Sequence, residues 1–434
     1  MKGLVSVRIA LTLLVLVSVS VLAEEPILIQ SNTYISTENQ TYEGRAVVVQ
    51  GTTLTVDGAH SFESLTLRSG AVLTSNARQK ITLTAGAVSI DASSRIDLSV
   101  KGNLPDTTLS TNYYSGGSYG GRGGPFTNGS TYYYPPSSGY GDYRWPRELG
   151  TGGRGSTNSS NRSYGGGALE LQAESLTLDG KILANGQLLS STGSGSGGAL
   201  LLQVDSLTLG SQSLIQADGG GSSASSSYYG GGGGGRVALH YRSLQGDLTN
   251  RLSAKGGLTG HGAASHGGAG TVYVRDSQSG EEQLIVSNGT VPTGTAAGTW
   301  LNLVQPTPFV GSLTALNANL SLTGELVYDS ELSARRSLNV SGGYVSFSGE
   351  QQSFDKVVLV QSASLFSIAG KALKLRARHI QIDATSSIDV SQRGNLPDSS
   401  LSTNYYSGGS YGGRGGPFTN GSTYYYPPSS GYGD

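Results

Sequence analysis

The stretch that decides the fold is Ala168-Leu-Glu-Leu-Gln-Ala-Glu-Ser-Leu-Thr-Leu178, which recurs as Ala199-Leu-Leu-Leu-Gln-Val-Asp-Ser-Leu-Thr-Leu209. Each copy is followed by a shorter stretch that closes on glycine, as Ala184-Asn-Gly186 and Ala217-Asp-Gly219. Aliphatic and polar residues alternate in both copies, and a period of two indicates half-buried β-strands. The module is therefore about 20 residues of short strands that end in glycine.

Three further stretches have the same form, namely 81–102, 237–256 and 271–289. Three short strands per module predict one rung of a right-handed parallel β-helix (a β-solenoid), in which aliphatic side chains stack in a central column. The fold class is therefore all-β. A set of β-sandwich repeats is the alternative, because sandwiches also use many short strands separated by turns.

A longer repeat contains these modules. Leu109–Asp142 is identical to Leu401–Asp434, at an offset of 292 residues. We therefore divide the chain into a first solenoid unit, 24–315, and a second, truncated unit, 316–434. Because repeat proteins need a capping element at each end, we expect this sequence to be a fragment of a longer array.

The N-terminus has the pattern of a secretory signal peptide. Lys2 and Arg8 precede the apolar run Ile9–Leu22, and the small residue Ala23 follows it. The run is shorter than the ~20 residues that span a bilayer. We expect residues 1–23 to be removed, the protein to be secreted or held at the cell surface, and the mature chain to contain no transmembrane segment.

Composition excludes several classes of protein. The 434 residues include 67 glycines and no cysteine, and the net charge is −1. A disulfide scaffold and a Cys-ligated metal site are excluded, and the charge gives no attraction to nucleic acid, which we do not expect as a partner. The glycines lie between the modules, in a long loop over 103–166 and in shorter loops after Gly186, Gly219 and Gly256. These Gly/Tyr-rich insertions leave from one corner of the rung, so we expect them to stack into a binding face.

The candidate ligand-binding residues are the aromatic and arginine side chains of the long loop: Tyr113, Tyr114, Tyr119, Arg122, Tyr132, Tyr133, Tyr134, Tyr140, Tyr143 and Trp145. Tyrosine among Ser, Gly and Asn is the composition of adaptable binding loops. The competing interpretation is that these rings pack the loop onto the solenoid, because an insertion of 64 residues needs a core of its own. The two interpretations are compatible.

Nothing in the sequence predicts catalysis, a metal site or a cofactor. Residues 116–120 match the G-x-S-x-G pattern of hydrolases, but no helix and no nearby histidine follow, as that mechanism requires. His240, His261 and His266 have no acidic cluster beside them and are typical of solvated loop residues. We therefore expect a protein that is not an enzyme.

Two segments resemble a known group of proteins. Phe62-Glu-Ser-Leu-Thr-Leu-Arg-Ser-Gly-Ala-Val-Leu-Thr74 is similar to the F-x-x-L-x-L-x-x-G-A-x-L-T segments of secreted bacterial Gly-rich parallel β-helix surface proteins. That group includes autotransporter passengers and filamentous-haemagglutinin-like adhesins. Residues 139–153 resemble a Tyr-Gly…Pro…Gly-x-Gly-Gly loop of large surface proteins. The resemblance implies a right-handed β-helix outside the cell and brings no catalytic residues with it.

Together these observations predict a surface adhesin or extracellular structural module that binds glycans, host surfaces or other cells through its Tyr/Gly/Ser loops. The first alternative is a carbohydrate-active β-helix enzyme of the polysaccharide lyase or hydrolase type. The second is an inert structural stalk whose loops bind nothing.

Overall fold

The structure of the protein is a computed structural model. It describes residues 24–105, 113–128, 131–134, 137–155, 162–221, 228–260, 262–290, 297–305, 307–394, 418–420 and 423–425. The predicted signal peptide, 1–23, lies outside the described residues, as does most of the duplicated segment Leu401–Asp434.

The described chain is nearly all β. The strands up to residue 253 are β1 (Ile27–Ile29), β2 (Thr33–Ile35), β3 (Ala46–Gln50), β4 (Thr53–Val56), β5 (Gly58–Arg68), β6 (Val72–Thr74), β7 (Lys80–Ile90), β8 (Arg95–Asp97), β9 (Phe126–Asn128), β10 (Thr131–Tyr134), β11 (Ala168–Leu178), β12 (Lys181–Leu183), β13 (Ala199–Leu209), β14 (Leu214–Gln216), β15 (Arg236–Gln245) and β16 (Leu252–Ser253). The remaining strands are β17 (Thr271–Asp276), β18 (Glu282–Ser287), β19 (Thr299–Asn302), β20 (Gly311–Thr323), β21 (Ser337–Phe347), β22 (Gln351–Val360), β23 (Ser364–Ser367), β24 (Lys374–Ile382), β25 (Ser387–Ile388), β26 (Phe418–Asn420) and β27 (Thr423–Tyr425). A 3₁₀ turn (Ala263–Ser265) and one short helix, α1 (Ser330–Ser333), complete the described elements.

Two long sheets of stacked rungs form the solenoid. The first runs β1-β3-β5-β7-β11-β13-β15-β17-β18-β20-β21-β22-β24, and the second runs β16-β14-β12-β8-β6-β4-β2. Pairing is parallel throughout both, except between β17 and β18. Leu171 lies in register with Leu83 on one side and Leu202 on the other. The β-solenoid is therefore confirmed and the β-sandwich alternative is wrong, because sandwiches pair their strands antiparallel.

Each rung contains two strands and not the three that the sequence predicts. The first two predicted stretches are continuous in an 11-residue strand whose register skips one residue at its middle, at Gly86, Glu174 and Asp205 in successive rungs. The skipped residue makes the corner of the rung. The backbone turns there without a break in the ladder, and the buried positions change phase, from odd-numbered residues such as Ala85 to even-numbered residues such as Val88.

Aliphatic side chains fill the interior of the rungs. Ile96, Ile182 and Ile215 stack on one another from β8, β12 and β14, and all three are fully buried. A second buried hydrophobic cluster includes Tyr143 and Tyr273 and continues through the later rungs to Leu365. The predicted unit boundary at 315/316 falls inside β20 and stays a prediction.

Asparagine and aspartate side chains fix the corner from which the loops leave. The backbone N–H of Asp218 donates to Oδ1 of Asn185 at 2.8 Å, and the N–H of Lys255 donates to Oδ1 of Asp218 at 2.7 Å. One rung further on, Gly256 donates to Oδ1 of Asn288 at 2.8 Å. The Asn/Asp before the closing glycine therefore bridges neighbouring rungs.

The glycine-rich loops pack into a bundle of extended segments, the glycine bundle (113–124, 150–153, 163–167, 193–198, 217–221, 230–235, 254–257 and 265–270). Its centre is Gly230–Gly235. The six backbone N–H groups of that run donate in order to the carbonyls of Tyr114, Ser265, Gly220, Gly117, Gly268 and Ala217. Its six carbonyls accept in order from the N–H groups of Ser194, Gly124, Gly257, Gly197, Gly121 and Thr271. Donors three residues apart bond to the same neighbouring segment, as Gly230 and Gly233 do to Tyr114 and Gly117. Three residues per turn is the period of a polyproline-II helix.

Candidate functional site

A strap, defined here as residues 139–150, crosses the outer face of the long sheet. Arg236 on β15 donates from Nε to the carbonyl of Tyr140 at 3.0 Å. His240 on the same strand donates from Nε2 to the carbonyl of Arg144 at 2.9 Å. Arg147 forms a two-pronged ion pair with Glu170 on β11. Alternation along β11 and β15 supplies these outward side chains, and they fix the path of the strap.

Two of the predicted contact residues pack together here, Tyr119 beneath the strap and Tyr140 within it. Tyr119 is fully buried, and its hydroxyl donates to Oε2 of Glu148 at 2.9 Å. The ring of Tyr140 lies 4.9 Å from that of Tyr119, and its hydroxyl donates to the carbonyl of Leu149 at 2.6 Å. Burial raises the pKa of both phenols. In this structure Tyr119 and Tyr140 pack the loop onto the sheet, and a ligand-binding role for them stays a prediction.

Tyr143 and Arg144 close the next part of the outer face. The Tyr143 ring meets the ring of Tyr273 edge-on at 5.7 Å, and the Arg144 guanidinium lies 4.8 Å from the centre of the Tyr143 ring. Arg144 also reaches Glu282 at 3.5 Å. Burial is the largest cause that raises the pKa of Tyr273 to about 12, so the phenol is neutral at physiological pH. This cluster joins the strap to β17 and β18.

The remaining predicted residues are spread over the loop. Arg154 covers the ring of Tyr113 at 4.2 Å, and the ring of Tyr114 packs against Phe126 and Tyr229. Tyr132, Tyr133 and Tyr134 belong to β10, and their side chains lie outside the described part of the structure. The loop therefore does not bring all ten predicted residues to one place.

Trp145 is the most exposed of the predicted aromatic residues whose side chains are described. Its side chain is 36% exposed, and its ring stacks on His240 with 4.3 Å between centroids. Burial is the main cause that lowers the pKa of His240. One face of the indole is therefore fixed by a neutral imidazole.

A shallow pocket of about 410 Å³ opens beside the strap. It is lined by Gly141, Asp142, Tyr143, Arg236, Trp300, Leu301, Asn302 and Gln305. Alternation along β19 buries Leu301 and turns Trp300, 41% exposed, and Asn302 outward. The predicted residue Arg122 comes from the glycine bundle, and its guanidinium lies 5.6 Å from the centre of the Trp300 ring. The pocket is thus built from the strap, β15 and β19, and Arg122 of the bundle packs against its Trp300 wall.

The chemistry of this pocket combines one flat apolar surface with hydrogen-bonding groups. Oδ1 of Asp142 accepts from the backbone of Arg144 and Trp145, which holds the carboxylate in place. The amides of Asn302 and Gln305 each offer both a donor and an acceptor. An indole beside such groups can stack on the C–H face of a sugar ring while its hydroxyls are hydrogen-bonded.

Sequence reasoning found part of this pocket. The predicted residue Tyr143 lines the pocket and the predicted residue Arg122 contacts its Trp300 wall, whereas Trp300, Asn302 and Gln305 were missed. The available signal was that the chain contains two tryptophans and Trp300 is one of them. Nothing local in the sequence connects residue 300 to the loop at 122–143.

Metal-ligand clusters and membrane-spanning helices are both absent from the described residues. Within those residues, no group of three or more His, Cys, Asp or Glu is placed to hold a metal ion. The described helices also include none with the length and apolar character needed to cross a membrane. No protein-family model, no curated protein and no solved structure matches this chain.

Proposed function

We propose that the protein is an extracellular adhesin module that binds a glycan in the pocket beside Trp300. The observation that carries this proposal is an exposed indole in a shallow pocket whose other walls carry amide and carboxylate groups. Pockets of this kind, with a few placed polar groups, are the usual form of small-ligand sites.

The rigidity of the pocket supports the proposal. Trp300 lies on a strand that pairs with β20, and the Arg122 N–H donates to the carbonyl of Gly298 at 2.9 Å. A side chain already held in its bound position loses little conformational entropy on binding. The Trp300 ring is therefore preorganised for ligand binding.

The charges at the base of the pocket largely balance, because the carboxylates of Asp142 and Glu148 act on the Arg236 guanidinium. Arg236 is buried, and it forms no ion pair with any carboxylate of the described residues. Its neighbours are the Tyr140 carbonyl, the Thr271 hydroxyl and the ring of Tyr119. Because these carboxylates already act on the buried cation and would repel an added anion, we expect neutral glycans to bind at least as tightly as those that contain uronic acid.

The glycine bundle supports a second candidate, an extracellular structural module. Its dense backbone hydrogen bonding suits a stiff shaft better than an adaptable loop. The two candidates agree on secretion and surface location, which follow from the leader pattern of residues 1–23 and stay predictions. Absence of enzymatic activity is also a prediction, and depolymerisation assays on acidic polysaccharides, with and without calcium, test it.

The two tryptophans allow a direct test of glycan binding. A glycan array identifies ligands, and the fluorescence of Trp145→Phe, in which Trp300 is the only tryptophan, should change on titration. The fluorescence of Trp300→Phe should stay constant, and Trp300→Ala should weaken binding about tenfold or more. Trp145→Phe is the matched control for affinity, because phenylalanine keeps the stack on His240.

Two outcomes would overturn the proposal. If Trp300→Ala binds as the wild type does, the pocket is not the site. If no member of the array binds, the structural module is the better interpretation.

A further inference from the structure

The seven-stranded sheet ends inside the molecule, at β16. Earlier short strands such as β12 and β14 have a neighbour on each side, whereas β16 pairs with β14 alone among the described strands. Within the described residues no further short strand joins this sheet after β16, because β17 turns back directly into the antiparallel β18. In a parallel ladder, successive residues direct their backbone groups to opposite neighbours. The N–H and C=O of Leu252 therefore face away from β14, toward the open edge.

A groove of about 690 Å³ follows that edge. Its apolar lining includes Leu244, Leu248, Leu252, Val274 and Ile285, and exposed Asp247 and Lys255 stand at its rim. The size is that of ordinary ligand pockets.

Comparison with the preceding rung shows what the groove lacks. Leu244 is the register partner of Leu207, and Leu252 is the partner of Ile215. Leu207 and Ile215 are buried because the next rung covers them, whereas Leu244 and Leu252 are only partly buried. The groove therefore occupies the position that the corner and short strand of a further rung would take.

We propose that this groove binds an extended peptide by strand addition, parallel to β16, with one aliphatic side chain inserted into the column. The same sheet shows the kind of peptide that fits. The short strands at this position are Arg95-Ile-Asp97, Lys181-Ile-Leu183 and Leu214-Ile-Gln216, each with a buried isoleucine at its centre.

The partner is therefore an extended segment with a central aliphatic residue and outward-facing neighbours. In strand addition, backbone hydrogen bonds supply affinity and the side-chain pocket supplies specificity. Here the bonds would come from Leu252, and the pocket from Leu244, Leu248 and Ile285.

The test uses the peptide Asp-Gly-Lys-Ile-Leu-Ala-Asn-Gly, whose sequence is residues 179–186, labelled with fluorescein. Fluorescence polarisation with the full chain should show saturable binding. A peptide with Asp in place of Ile should bind about tenfold more weakly or worse, because a buried charge replaces the column side chain.

A second control peptide separates strand addition from simple hydrophobic capture. By the register of the ladder, the N–H of the leucine after the isoleucine meets the C=O of Leu252, so N-methylation of that leucine removes one backbone bond and no side chain. We expect binding to fall by about three- to tenfold, the range for one hydrogen bond.

On the protein side, Leu252→Asp should abolish binding, and Leu244→Gln should weaken it if Leu252→Asp does not fold. Trp300→Ala should leave peptide binding unchanged, which keeps this result separate from the glycan proposal. No binding of the parent peptide at about 1 mM, a level that detects even weak complexes, would overturn the inference. Equal binding of the N-methylated peptide would overturn it as well.

Discussion

The solenoid rungs and the glycine bundle use extended backbone in two different ways. A strand of the rungs bonds to two neighbours, one on each side, and its remaining faces are filled by side chains such as Ile182. Gly230–Gly235 bonds to segments on all sides, since its donors and acceptors turn through three directions. The rungs are stabilised by aliphatic burial and the bundle by close packing of backbone on backbone.

This difference explains why the glycines are needed. None of the six residues of Gly230–Gly235 has a positive φ, so conformational freedom is not the reason. A Cβ built on Gly233 would overlap the carbonyl oxygen of Gly121, and one on Gly232 would overlap that of Gly195. Only a residue without a side chain allows the segments to approach this closely.

The largest expected effect comes from a side chain placed in the bundle. Gly233→Val forces the Gly121 segment away, and we expect a loss of more than about 4 kcal/mol in stability, the range of severe overpacking. Guanidinium denaturation followed by tryptophan fluorescence measures it. Gly394→Val is the control, because a Cβ on Gly394 has no atom within 4 Å. Equal denaturation midpoints for the two variants would contradict the close-packed bundle.

The next-largest expected effect is a loss of stability when an aliphatic side chain is removed from the interior of the rungs. Ile96 is fully buried in β8, whereas Ile388, which is 292 residues later, is only partly buried in β25. We expect Ile96→Ala to cost about 2–4 kcal/mol and Ile388→Ala about half of that or less, because less apolar contact is removed. Thermal and chemical unfolding of the pair provide the measurement. A larger loss for Ile388→Ala would show that coverage by the next rung is not what stabilises the column.

The smallest expected effect is a pH dependence of folding stability, and it arises from His240, which binds the strap. Because the pKa of His240 is lowered in the folded protein, the unfolded chain binds a proton first as the pH falls below about 6.5. Stability is therefore fully present above that pH and decreases below it, by at most about 1.4 kcal/mol per pH unit for one proton. Arg144, Arg275 and Glu282 are the charged groups that act on this histidine.

Denaturation midpoints at pH 7 and pH 5 measure this dependence. His240→Gln keeps an N–H donor in place of Nε2 but does not titrate, so the decrease between the two pH values should be smaller in this variant. An unchanged pH dependence would show that His240 is not its source.

Much of the rung could be read from the sequence because its signals are local. The two copies at 168–178 and 199–209 show the alternation that buries Leu171 and Leu202. The Asn or Asp before the closing glycine is likewise visible, although its bridging role is not. The bend inside each long strand was missed, because the change of phase between Ala173 and Leu176 was interpreted as the end of one strand and the start of another.

The candidate site could be predicted only in part. The aromatic composition of the loop predicts ligand-binding residues there, and that role stays a prediction, but composition does not distinguish a ring under the strap from a ring on the surface. Tyr119 is buried and Trp145 is partly exposed, although both belong to the same loop. Their difference depends on which outward side chains of β11 and β15 the loop meets.

By itself, then, the sequence determined the β-solenoid, the module length and the corner from which the loops leave. Each of these depends on residues a few positions apart. Only the tertiary structure decided that the glycines pack as a bundle, that Arg122 and Trp300 meet, and that β16 ends at an open groove. Those features join segments far apart in the chain, and the bundle and the edge of β16 are formed by backbone hydrogen-bonding groups, which residue type does not reveal.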